Sequence, residues 1–91
     1  MSLQKPALIL FHATWCPHCR AVYPAFNRAA KTVGGGEISV YRIDIDDDAE
    51  GMAKKFGVTS FPTIVFVNAR GRKTVYAGDR SSQDIARFAL T

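Results

Sequence analysis

Ala7 to His12 (ALILFH) is an unbroken apolar run of strand length. With no alternation, it predicts a strand covered on both faces. Ala13-Thr14-Trp15 forms a turn into an expected helix from Cys16 to Val33. Pro17 suits its first turn, where a missing N–H is no loss. Pro24 falls inside it and is expected to kink it. Gly34-Gly35-Gly36 ends it. Ser39 to Ile45 (SVYRIDI) reads as a second strand. Asp46-Asp47-Asp48 then precedes a short helix from Ala49 to Phe56, stopped by Gly57, and acidic residues there favour a helix start. Thr63 to Asn68 is a third strand. A turn at Ala69-Arg70-Gly71-Arg72 returns the chain as a fourth, Lys73 to Ala77, a hairpin pattern. Ser81 or Ser82 caps a closing helix that runs to about Leu90. The order β-α-β-α-β-β-α places the chain in the α/β class. The first strand–helix–strand unit demands a parallel, right-handed crossover.

The 91 residues suit one domain, residues 1–91, without repeat, linker or low-complexity segment. The net charge of +4 is mild. Arg70, Arg72 and Lys73 cluster at a turn without a recognition helix, so no nucleic-acid partner is expected. No apolar run reaches 18 residues, so no membrane span is expected. Lys5-Pro6 leads straight into the first strand without a signal-peptide pattern. That leaves the compartment open, with a lean to the cytoplasm.

The chemistry is concentrated in Cys16-Pro17-His18-Cys19, which holds both cysteines of the chain. Two cysteines are too few for a disulfide scaffold. At the start of a helix, positions three apart share a face. A disulfide needs α-carbons about 4.4–6.8 Å apart, which this spacing can meet. Cys16 is expected to be exposed at the helix N-terminus. There orphan N–H groups and the helix dipole favour a thiolate, and His18, when protonated, adds positive charge. Cys19 lies one turn deeper. The asymmetry assigns attack on a substrate to Cys16 and resolution of the mixed disulfide to Cys19. A zinc or iron–sulfur role lacks a second ligand pair, and His12 lies before the helix on a strand.

Phe11-His12-Ala13-Thr14-Trp15-Cys16-Pro17-His18-Cys19 resembles the active-site segment of the thioredoxin superfamily. Pro24 matches that family's helix proline, and Val58-Thr59-Ser60-Phe61-Pro62-Thr63 resembles its cis-proline loop. Tyr76-Ala77-Gly78-Asp79-Arg80 resembles a stretch of protein disulfide isomerase domains. The likeness extends from Ala7 to Leu90. It implies a thioredoxin-like fold reduced to a four-stranded mixed sheet flanked by helices. The family's leading strand and helix have no counterpart, which leaves an edge strand open to association.

The resemblance further implies that Pro62 is cis and faces the cysteines, and that Trp15, Phe61 and the Pro62 backbone grip a protein substrate. It places Arg80 near Cys19. Pro17 and His18 tune the pair: a Pro-His dipeptide marks the oxidising periplasmic relative, Gly-His the isomerases and Gly-Pro the reducing thioredoxins. Potentials of such relatives run from about −120 mV through −180 mV to −270 mV. The expected activity is thiol–disulfide oxidoreduction on protein thiols or disulfides, leaning to oxidase or isomerase. It needs no cofactor beyond the cysteine pair. A recycling partner or glutathione is implied, and the chain is expected to be a monomer.

One departure stands out. The family places a buried acid six residues before the first cysteine, and here that position is Leu10. Cys19 then lacks its usual base. Arg42 falls where relatives often carry a lysine that partners the acid. It either lowers the Cys19 pKa or points to solvent. The missing acid also admits a binding domain with a vestigial cysteine pair. The small size admits a glutathione-dependent role, which the Pro-His dipeptide opposes.

Overall fold

The structure, a computed structural model, describes residues 4–34, 36, 38–48, 51–76, 85 and 88. β1 (Ala7–His12) lies inside a four-stranded sheet of order β2-β1-β3-β4, where β2 is Ser39–Asp44, β3 is Thr63–Val67 and β4 is Lys73–Val75. β1 runs parallel to β2 and antiparallel to β3, and β3 and β4 form an antiparallel hairpin. α1 (Pro17–Val33) makes the crossover between β1 and β2, as the parallel pairing requires.

Pleating explains why β1 is apolar throughout. Leu8 and Leu10 point to one face, where they pack with Val22, Phe26, Ala29, Ala30 and Val33 of α1 and with Ile64. Ala7, Ile9 and Phe11 point to the other, with Ile43, Val65, Val67 and the Met52 and Ala53 of α2 (Met52–Lys55). Phe11 meets the Phe56 ring at 5.6 Å between centroids. Both faces of this strand are therefore core, and each fully buried Leu, Ile or Phe contributes roughly 1.5–3 kcal/mol.

The element edges refine the sequence reading. Cys16 is the N-cap of α1 in an extended conformation (φ −93°, ψ 115°), so the helix proper begins at Pro17. Pro24 lies within α1, and Gly34 is its C-cap. β2 stops at Asp44, not Ile45, because the chain tightens into a 3-10 turn over Ile45–Asp47, whose first N–H groups need an acceptor. The Asp44 carboxylate takes the Asp46 N–H at 3.0 Å.

Of the acidic run, Asp48 does the capping at α2: its two oxygens accept the Met52 and Ala53 N–H groups, each at 2.9 Å. The described α2 covers only Met52–Lys55, shorter than the span expected from Ala49 to Phe56; residues 49 and 50 are outside the described set. β3 ends at Val67 because the Asn68 side chain turns back to accept from Arg70 and Arg72 N–H, both at 2.9 Å. β4 is described as Lys73–Val75, and Ala77 lies outside the described residues. Of the closing helix, Ile85 and Phe88 are helical. Ile85 is fully buried on the α1 side of the sheet, and Phe88 packs on Phe66 and Tyr76. Ser81 and Ser82 lie outside the described residues.

Candidate functional site

The site forms where the C-terminal end of β1 meets the N-terminus of α1. β1 delivers His12. Ala13-Thr14-Trp15 then make the turn, in which the Cys16 N–H donates to Ala13 O at 3.2 Å. That turn sets Cys16 at the N-cap, where the first amides of a helix have no intrahelical acceptor. The Cys16 sulfur fills the role a serine or aspartate oxygen usually fills: it accepts the Cys19 N–H at 3.3 Å. The positive end of α1 therefore points at this sulfur, an arrangement that favours thiolate over thiol.

Cys19 is fully buried, one turn into α1. Cys16 is 6% exposed, so the expectation of an exposed attacking sulfur needs correction. Phe61, Ile45 and Tyr23 pack against the Ala13–Cys16–Cys19 cluster and cover it, leaving only a narrow approach. The ranking of the two survives, because the first cysteine keeps the little access there is.

The Phe61–Pro62 peptide bond is cis, as the resemblance implied, and Lys5–Pro6 is cis as well. The Cys16 thiol donates to Phe61 O at 3.6 Å, a long sulfur contact that sets this loop directly against the cysteine. Trp15 is 63% exposed beside the site. Pro17 and His18 are exposed, and Phe61 and Pro62 half-buried. The structure thus brings Trp15, Cys16, Pro17, His18, Cys19, Phe61 and Pro62 to one end of the sheet. Arg80 lies outside the described residues.

Leu10 is fully buried among Leu8, Val22, Phe26 and Ile64. Among the described residues no charged or polar side chain is buried. Arg42 does not turn toward Cys19. Its guanidinium donates to Asn27 Oδ1 at 2.7 and 3.0 Å and lies 5.4 Å from the centre of the Phe26 ring, on the exposed flank of α1. Among the described residues no group of three or more His, Cys, Asp or Glu is placed to hold a metal ion, and no helix is long and apolar enough to cross a membrane.

Sequence reasoning missed one feature. His12 Nδ1 and Tyr23 Oη are 2.8 Å apart, and their rings meet edge to face at 5.3 Å. Burial raises the Tyr23 pKa above its usual value. Cys19, then Asp44, then Cys16 add to that, and Arg20 opposes it. The available signal was the four-residue step from Cys19 to Tyr23, which places them as neighbours on one helix face. The approach of His12 needed the fold.

Comparison with known proteins agrees with this geometry. The family model described as Thioredoxin matches residues 1–91. "Bloodstream-specific protein 2" of Trypanosoma brucei brucei is 36% identical over 84 residues, covering 92% of this chain and 17% of that protein. Protein disulfide-isomerase of Triticum aestivum is 36% identical over 84 residues, covering 92% of this chain and 16% of its own length. The chain thus spans about a sixth of these two relatives. Among solved structures, a fragment of ERdj5 superposes with a TM-score of 0.83 at 25% identity, covering 96% of this chain and 41% of that one. The chain therefore belongs to the thioredoxin family.

Proposed function

We infer that this chain exchanges disulfides with protein substrates through Cys16 and Cys19, and that it works as an oxidase or isomerase more than as a reductase. One observation carries the reading. Cys16 caps α1 with its sulfur on an orphan N–H and sits against the cis-Pro62 loop. That cap stabilises the thiolate, hence the reduced pair, and so makes the disulfide the stronger oxidant. In the forward sense, the Cys16 thiolate attacks a substrate disulfide. One substrate sulfur leaves as a thiolate, and the other stays bonded to Cys16. Cys19 then attacks Cys16 and expels the second. The pair loses two electrons and the substrate gains them. Run in reverse, the Cys16–Cys19 disulfide oxidises a substrate dithiol.

Trp15 and Phe61 offer an apolar surface beside the sulfur, and the backbone around Pro62 offers pairing to an extended peptide. Arg80 is proposed to support Cys19. The pair is proposed to be its own redox group, with no dissociable cofactor, and glutathione or a partner protein recycles it. A protein disulfide-isomerase is among the relatives, which supports the isomerase lean.

The test is the reduction potential of the pair in glutathione buffers, read by thiol trapping. A value between about −120 and −200 mV supports the reading. A value near about −270 mV replaces it with a reductase. No reversible disulfide at all would leave a binding domain.

A further inference from the structure

Closing the disulfide requires Cys19 to lose its proton before it attacks, because only the thiolate is nucleophilic. Leu10 leaves this chain without a carboxyl group at the family position, and the described residues bury no acid elsewhere. Among the described residues, Tyr23 is a titratable side chain packed against the cysteine cluster, and His12 is hydrogen-bonded to it. Tyr23 stands four residues after Cys19 on α1 and packs against the cysteine cluster. Its hydroxyl meets His12 Nδ1 at 2.8 Å. His12 pairs in register with Asp44 of β2, and Asp44 lies near enough to Tyr23 to influence its titration. Among the described residues, the charged and titratable groups around the phenol are His12 on β1, Asp44 on β2, Cys16 at the helix cap, and Cys19 and Arg20 on α1. Phe61 and Ile45 pack against the same cysteine cluster with apolar surface.

Resting on the disulfide-exchange reading above, the geometry points to the Tyr23–His12 pair as the proton acceptor for Cys19 in the resolving step. Tyr23 Oη takes the Cys19 thiol proton as it gives its own to neutral His12 Nδ1. The phenol ends neutral, and the imidazole becomes a cation beside Asp44. The Cys19 thiolate then attacks Cys16. The Cys16–Cys19 bond forms, the bond from Cys16 to the substrate sulfur breaks, and the departing thiolate takes a proton from solvent. His12 returns its extra proton to water. In the oxidising direction the same path returns a proton to Cys19.

The experiment uses oxidised glutathione as the probe. Reduced chain is mixed with it and quenched in acid at intervals, and mass spectrometry counts the Cys16–glutathione adduct and the closed disulfide. Tyr23→Phe and His12→Gln are the variants, since neither new side chain can pass the proton. Both should accumulate adduct. Closure should slow at least about tenfold more than Cys16 alkylation by iodoacetamide does, within the range that general-base assistance supplies. The double variant should be little worse than either single one, because both break one path. Closure in both variants within about twofold of wild type, relative to alkylation, would overturn the relay while leaving disulfide exchange intact. A wild-type chain that forms no Cys16–Cys19 disulfide would overturn the exchange reading and the relay with it.

Discussion

Leu10→Asp restores an acid at the family position, and its cost can be worked from its surroundings. Leu10 is fully buried, its sheet neighbours in register are Arg42 and Ile64, and its packing partners are apolar. Arg42 is already engaged with Asn27. A carboxylate there meets no partner, so desolvation raises its pKa from about 3.9 by roughly 3 units. The sign follows from proton counting. Between about pH 4 and 7 the folded state holds the proton that the unfolded state has lost, so stability falls as pH rises, by about 1.4 kcal/mol per unit. By pH 7.5 the charge costs about 4 kcal/mol. A 91-residue domain has roughly 5–14 kcal/mol in all.

Leu10→Asn is the control. It shares the packing loss and the buried polar atoms, about 3 kcal/mol or more, but cannot ionise. Urea unfolding at pH 4.5 and 7.5 separates the two. The variants should nearly coincide at the lower pH. At the higher, Leu10→Asp should unfold about 2–4 M urea earlier, or show no folded baseline. A gap below about 1 kcal/mol at pH 7.5 would refute the claim that this position is dry and unpartnered.

Asp48→Ala strips two acceptors from the first turn of α2 and should cost about 1–2 kcal/mol by urea denaturation, with no change in the redox potential of the cysteines. Gly34→Ala places a Cβ 2.6 Å from Ala30 O, so the helix end must shift; a loss of about 1–3 kcal/mol in thermal unfolding is expected, and an unchanged melting temperature would contradict the packing there. Trp15→Ala removes a side chain that is 63% exposed, so stability should change by less than about 0.5 kcal/mol. Reduction of a disulfide-bonded protein substrate should weaken several-fold in that variant, mainly in KM, while reaction with glutathione changes little.

Local rules carried much of this protein. The ALILFH run meant a strand covered twice, and β1 is that strand. Pro17 in a first turn and the glycines from Gly34 meant a helix between them, and α1 runs from Pro17 to Val33. The two cysteines three apart at a helix start meant neighbours at a helix tip, and Cys16 caps α1 with Cys19 one turn in, because capping and spacing are properties of a few consecutive residues. Element ends were less legible. Asp44 and Asn68 stop their strands through side-chain hydrogen bonds that compete with a pattern still apolar at Ile45 and polar only after Val67.

What the chain order alone could not decide was which distant groups meet. The cis-Pro62 loop reaches Cys16 from 45 residues away, and covers a sulfur that its position at a helix tip suggested would be open. Arg42, one strand from Leu10, turns out to Asn27 and not in to Cys19. His12 meets Tyr23 only because β1 ends beneath the first turns of α1. Each of these depends on how sheet and helix pack, and packing is set by burial summed over the whole molecule, which no short segment contains.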